Sequence, residues 1–288
     1  MTSTPFDSFS HEWRKRRAAN LRQGSLGGLL LLVALAFSLY VGQFDLWRLI
    51  TGLPRITEFL GGMVPELHWA TLDSDLAEWF WGLEKWLALL WTTLMMALFG
   101  TAAGTALGSA LSFLAARNLG AAPLTVFLVR RVMEIARSVP DLVWALLFLF
   151  AFGLGPLPGV LAIGLHTLGA QGKLFAEVNE NIDMAPLEGI RASGGTWLDE
   201  IRLGVLPQVL PNFTSYSLWR FELNVRTATV MGFVGAGGIG MELYQAISLN
   251  YFSDAGAILI LVFLTVALID MFSEWARLKL AGISSDHA

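Results

Sequence analysis

Apolar runs of roughly 20 residues, the length a helix needs to cross ~30 Å of hydrocarbon, recur along the chain. They fall at 24–42, 86–116, 131–152, 159–177, 206–233 and 255–276. The first, the second half of the second, and the last are the cleanest, while polar residues interrupt the fourth and fifth. This pattern predicts an all-α membrane protein with about six transmembrane helices. Arg14, Lys15, Arg16, Arg17 and Arg22 precede the first run, as they would in a secretory leader. That run is too long for a leader's apolar segment, however, and no A-x-A cleavage site follows it, so a retained helix is expected.

Basic residues near span ends stay on the cytoplasmic side. With the amino terminus inside, Arg14 to Arg22, Arg117, Arg130, Arg131, Lys173, Arg191, Arg202, Arg277 and Lys279 lie inside, leaving Arg48, Arg55 and Lys85 outside. The ratio is thirteen to three, so both termini are expected in the cytoplasm of a bacterial inner-membrane protein. Residues 43–82 then form one long external loop rich in acids and in Trp47, Trp69, Trp79 and Trp81, which suit the headgroup layer. Both an interfacial connector and a docking surface for an external partner fit this loop. The expected organisation is a cytoplasmic tail 1–23, a first helix with the external loop 24–84, a transmembrane core 85–280 and a cytoplasmic tail 281–288.

Composition agrees with the pattern. Hydrophobic residues make up 55% of 288 positions and charged residues 15%, too few to coat a water-facing globule of this size. The chain has no cysteine, which removes disulfides, thiolate metal sites and cysteine nucleophiles. His11, His68, His166 and His287 do not fall at metal-ligand spacing, and no serine occupies a nucleophile elbow. A net charge of -4 without a basic, aromatic-interleaved patch gives no reason to expect nucleic acid.

The most informative polar segment is Glu188-Gly189-Ile190-Arg191-Ala192-Ser193-Gly194-Gly195-Thr196-Trp197, continuing to Leu206-Pro207. Its pattern predicts a helix to Ser193, a turn at Gly194 and Gly195, a second helix capped by Thr196, and a stop at Pro207. Ile190, Trp197, Leu198 and Ile201 are too apolar for water. Glu188, Arg191, Asp199, Glu200 and Arg202 are too polar for lipid. A cytoplasmic protein partner satisfies both sets.

Glu188, with Gly194 six residues on and Leu206-Pro207 closing the segment, resembles the coupling loop of ABC importer permeases. Gly189 and Ile190 stand where that motif has its middle alanines, a departure that resembles the phosphonate branch. The run continues through Gln208 to Pro211, Ser215 to Val230 and Gly232 to Gly240, and is similar to permeases of the phosphonate, phosphite and hypophosphite importers. The similarity spans roughly 85–280 and is densest from 185 to 242.

This resemblance implies a type I importer. Two permease chains, identical or paralogous, work with two cytoplasmic ATPase subunits and a periplasmic binding protein to carry phosphonate, phosphite, hypophosphite or phosphate inward. Glu188, Gly189, Ile190, Arg191, Gly194, Leu206 and Pro207 are the implied ATPase-coupling residues. The resemblance implies a pore subunit and not an enzyme, and no phosphate loop of the form G-x-x-x-x-G-K-[ST] exists here, so any ATP is expected to be hydrolysed by another chain. ATP and Mg are expected on the partner. Gly235, Gly237, Gly238 and Gly240 satisfy G-x-G-x-x-G, but a membrane helix precedes them where dinucleotide binding needs a strand. A closely packed glycine turn is expected instead.

Span five carries Arg220, Glu222, Asn224 and Arg226, each central charge costing roughly 2.5 to 3.5 kcal/mol if it faces lipid. At 100° per residue, Tyr216, Arg220, Asn224 and Thr227 form one stripe and Ser215, Glu222, Arg226 and Thr229 the opposite one, implying two different neighbours. Glu222 and Arg226 neutralise each other four residues apart, which leaves Arg220 to find a counter-charge in Asp141 or in a passing anion. In span three, Arg130 with Glu134 and Arg137 with Asp141 are expected as pairs, either structural or gating. His166 is either an oxyanion donor or a packing contact. Two rivals remain: a permease for another solute, such as the methionine type, and an ion-coupled secondary transporter.

Overall fold

The computed structural model describes residues 5–280, and among them every regular element is a helix. The C-terminal tail 281–288 with His287 lies outside the described residues. The chain divides into two compact units at Leu60 and Gly61, earlier than the 84/85 boundary expected from sequence.

In the first unit, α1 (Pro5–Val41) runs unbroken from the expected tail into the first span. Its stretch Asn20–Val41 has mean hydropathy 2.1 and none of the residues in its most apolar window is buried, as expected where lipid is the solvent. A turn with Gln43 at φ 50° follows. The Asp45 carboxylate then accepts from the N–H groups of Trp47 and Arg48 at 3.0 and 3.1 Å, starting α2 (Leu46–Gly62). Helix α2 sets Leu49, Ile50, Leu53, Ile56 and Leu60 on one face and Arg48, Thr51, Arg55 and Glu58 on the other. The expected external loop is therefore largely helical, with α3 (Leu72–Trp79) as its second element. Helix periodicity was present in it but too short and too polar to read as a span.

The second unit is built on α4 (Leu83–Ala115) packed along α7 (Pro156–Glu180). Gly100, Gly104 and Gly108 recur every fourth residue along α4. A Cβ on Gly104 would lie 2.4 Å from the Gly164 carbonyl oxygen, and one on Gly108 would lie 3.0 Å from the Gly172 nitrogen. Lipid tails are as apolar as leucine, so helices here gain by backbone proximity and interhelical hydrogen bonds. Gln171 supplies the bonds, accepting from Thr105 on α4 and donating to the Tyr216 carbonyl on α10 (Leu206–Met231) at 3.0 Å.

The expected continuous span 131–152 does not exist. It is two helices, α5 (Pro123–Ser138) and α6 (Asp141–Phe152), meeting at 90°. Pro140 lacks an N–H and drives Val139 out of the helical region to φ -84°, ψ 127°. Helix α5 stays against α7, where Gly169 admits the Met133 carbonyl. The Trp144 indole ties the corner by donating to the Ala136 carbonyl at 3.0 Å.

Beyond α7 come α8 (Ala185–Ala192), the short α9 (Trp197–Asp199), a π-helical turn Glu200–Val205, and α10. Helix α11 (Ile239–Ser248) and the long α12 (Phe252–Leu280) complete the unit. By length and apolarity, α1, α4 and α12 qualify as membrane spans among the described residues, and the bent pair α5–α6 as a fourth. Helices α7 and α10 have 25 and 26 residues, long enough to cross, but their polar side chains lower their apolarity.

The glycine turn joins α10 to α11. Gly235, Gly237 and Gly238 have φ of 94°, 78° and 74°, and a Cβ on Gly240 would stand 1.8 Å from the Thr229 carbonyl oxygen. Glycine is required here by left-handed backbone and by helix crossing. Thr93 on α4 closes the turn by accepting from the Ile239 N–H at 2.9 Å.

Candidate functional site: the knob and the polar helix

The segment between α7 and α10 folds as a knob. Gly194 has φ 82°, and Gly195 packs so closely on Ile190 that an added Cβ would lie 2.5 Å from its side chain. Thr196 and Asp199 form a reciprocal capping box at the start of α9. The Asp199 carboxyl is held below its ordinary value first by the Thr196 hydroxyl and then by the Thr196 N–H. Arg191 grips Glu200 with two bonds of 2.8 Å, a bidentate pair that lowers the Glu200 carboxyl and raises the guanidinium.

Two anchors fix the knob to the helices. Leu187 is fully buried beneath Gly204, and the Trp197 indole donates to the Leu119 carbonyl at 2.8 Å. Glu188, Gly189, Arg191, Arg202 and Pro207 are among the residues left exposed, as are Trp197 at 39%, Leu198 at 67% and Leu203 at 63%. Ile190 is only half-buried and Ile201 packs inward, so the apolar outer face is Leu198 and Leu203 more than the isoleucines.

Pro207 does not stop the helix. It sits in the first turn of α10, and the π-helical turn carries the chain from α9 directly into it. Proline lacks an N–H and so makes no backbone bond to the turn before it, and it falls where the π-helical turn gives way to α10. Leu206 is half-buried beside it.

The two polar stripes of α10 meet two different neighbours. On one side Asn224 is buried and donates to Thr101 of α4 at 2.8 Å and to Thr167 of α7 at 2.9 Å. Arg220 meets Nδ1 of His166 and reaches Thr167 Oγ1 at 3.5 Å. On the opposite side Arg226 pairs with Glu222 and with Asp270 of α12, both at 2.7 Å, and Arg277 approaches Glu222 at 3.4 Å. These two arginines and two acids neutralise one another.

Neither expected pair of span three forms. Arg130 binds Glu180 of α7 at 2.5 Å and the Ala115 carbonyl at 2.9 Å, while Glu134 takes Arg131 at 2.6 Å. The 90° corner parts Arg137 from Asp141. Arg137 is exposed without an ion pair among the described residues, and Asp141 Oδ1 lies 2.6 Å from His166 Nδ1 without hydrogen-bond alignment. Asp141, His166 and Arg220 thus gather where the corner meets α7 and α10. Asp141 and His166 line an open cleft of about 510 Å³ with Arg226, Thr227 and Pro140. Asn224 is set into the helix packing instead.

Sequence reasoning missed Thr101, Thr167, Asp270 and Arg277. A threonine in an apolar run carries no signal of its own, and Asp270 and Arg277 gain meaning only once α12 is placed beside α10.

Residues 108–280 match the family of binding-protein-dependent transport system inner membrane components. The chain is 40% identical over 238 residues to the phosphite transport system permease protein PtxC of Stutzerimonas stutzeri, covering 83% of this chain and 82% of that relative. It is 39% identical over 188 residues to the phosphate-import permease protein PhnE of Mycolicibacterium smegmatis, covering 65% of this chain and 35% of that one. Its fold is similar to a chain of the MetNI methionine ABC transporter in an inward-facing conformation, with TM-score 0.58 at 20% identity over 68% of this chain and 95% of that one. The glycine turn, the knob and the helical core thus stand in a chain that belongs to the binding-protein-dependent inner membrane components, the permease subunits of ABC importers, whose ATPase is a separate subunit.

Proposed function

We propose that this permease passes a small phosphorus oxyanion, namely phosphonate, phosphite, hypophosphite or phosphate, from periplasm to cytoplasm. Relatives named for phosphite and phosphate transport support the substrate class. Six membrane passes put both termini and the knob 186–204 in the cytoplasm, as the basic-residue asymmetry requires. The complete importer holds two permease chains, two ATPase subunits that bind ATP and Mg, and a periplasmic binding protein. The exposed ring of Glu188, Arg191, Leu198 and Leu203 is the ATPase-facing surface.

The observation that carries the anion reading is the shared Nδ1 of His166, which both Arg220 and Asp141 approach. A guanidinium only donates and a carboxylate only accepts, so one ring nitrogen serves one of them at a time. With the ring proton on Nε2, Nδ1 accepts from Arg220. An arriving oxyanion draws the Arg220 donors to itself and leaves Nδ1 of His166 to Asp141. Asp141 is the resident counter-charge that offsets Arg220 between transport events. Its competition keeps anion binding weak, as release requires.

Arg220→Gln should keep insertion, assembly and basal ATPase activity yet lose most uptake, and Arg220→Lys should retain part of it. Restored uptake in the double variant Arg220→Gln with Asp141→Asn would make the pair structural and end the anion-site reading.

A further inference from the structure

We propose that the cleft between the segment that follows α4 and the first turns of α5 binds the phosphate group of an anionic membrane phospholipid. The cleft has a volume of about 380 Å³ and is lined by Arg117, Arg130 and Arg131 together with Pro123, Val126 and Phe127. Two of the arginines are opposed by Glu180 and Glu134. Arg117 is exposed and makes no ion pair among the described residues. The adjoining hollow adds one charge of each sign, Lys173 and Glu177, so the region keeps one formal positive charge for an outside anion. The Arg131 guanidinium is held over the Phe127 ring at 5.3 Å, which presents its planar donors at the cleft without a rigid partner on every side.

The lipid source follows from what continues out of the cleft. Leu124, Phe127, Leu128, Val132 and Ile135 are each more than half exposed, and their spacing of three and four residues puts them on one face of α5. No part of the described protein covers this stripe. It starts beside Phe127 at the cleft and runs toward the Pro140 corner. A free phosphate has no use for it, whereas a phospholipid seats its headgroup between the arginines and an acyl chain along the apolar face. The cleft lies between the end of α4 at Ala115 and the start of α5 at Pro123, the level at which basic clusters meet headgroups.

The test purifies the assembled transporter in mild detergent, exchanges it into micelles holding phosphatidylglycerol and phosphatidylcholine, and counts lipids retained per permease by mass spectrometry. Wild type should retain phosphatidylglycerol over phosphatidylcholine. Arg117→Gln with Arg131→Gln should lower phosphatidylglycerol retention by roughly fivefold for each charge removed, and the double lysine variant should restore most of it. Unchanged retention in the double glutamine variant would overturn the proposal. So would displacement of phosphatidylglycerol by low-millimolar inorganic phosphate, which would make the cleft a free-anion site. Should the glutamine variant assemble poorly, loss of the preference in wild type on raising salt reads the same interaction, and a salt-independent preference would contradict it.

Discussion

At the scale of single residues, the knob is held by contacts that each have one chemical solution. Gly194 at φ 82° has open space around it, so a side chain there meets backbone strain and no clash. Gly194→Val should cost on the order of 2 kcal/mol locally and lower binding-protein-stimulated ATP hydrolysis with little loss of inserted permease. Unchanged stimulation would make the knob an ordinary loop. The capping box and the Arg191–Glu200 pair also set a pH dependence. Thr196 depresses the Asp199 carboxyl and Arg191 depresses that of Glu200, so both folded values lie below the unfolded ones. Their stabilisation is complete above the ordinary carboxylate value, about pH 4, and is lost as pH falls through the depressed folded values. Amide exchange across 196–205, corrected for intrinsic rates, should show constant protection from neutral pH to about 5 and weakening below about 4. Weakening already at pH 6 would contradict the assignment.

At the scale of elements, α4 and α7 cohere through glycine contact. Gly104→Ala should destabilise the purified permease by about 1 to 3 kcal/mol through overpacking, because the new methyl would meet the Gly164 carbonyl oxygen. Gly52→Ala in α2, with nothing within 4 Å, serves as the control, and equal thermal unfolding of the two variants would refute the packing argument. Most helices were legible in the sequence because long apolar runs and the cap at Thr196 are local signals. The 90° corner was legible only in part: Pro140 was visible, but the apolar residues on both sides of it read as one run. Pro207 misled in the opposite sense, since proline in a first helical turn looks the same in sequence as proline past a helix end. Arg137 and Asp141 are parted by the same corner, because spacing of four residues brings side chains together only on an unbroken helix, whereas Arg130 and Glu134 share α5 and lose each other to Glu180 of α7 and to Arg131, with no local sign. The two stripes of α10 were readable from helical period alone, whereas their partners Thr101, Thr167, Asp270 and Arg277 depended on tertiary placement.

At the scale of the whole molecule, two opposed polar faces of α10 divide the labour of one helix. The face toward α4 and α7 locks Asn224 into the bundle and presents Arg220 to His166, while the face toward α12 is an ionic network that sums to zero. Asp141, carried in by the corner, completes a cluster that also has equal numbers of full charges. A bundle whose charges cancel inserts at moderate cost and still offers donors to an anion when one arrives. The knob begins at the foot of the same helix and joins it through continuous helix, not through a loop, so under the proposed coupling the motion of an ATPase seated there would reach the cluster along α10. Reporter fusions at Ser74 should read periplasmic and those at Gly120 and Gly195 cytoplasmic, and a cytoplasmic signal at Ser74 would reverse the orientation and the direction of transport with it.

The most direct measurement is uptake of radiolabelled phosphite into proteoliposomes holding the complete transporter, with its binding protein on the receiving face and ATP enclosed with the ATPase. The account predicts accumulation that needs both ATP and the binding protein, is competed by other small phosphorus oxyanions and not by methionine, and is largely lost in Arg220→Gln. Phosphite uptake that continues without ATP, or methionine uptake in place of it, would contradict the account.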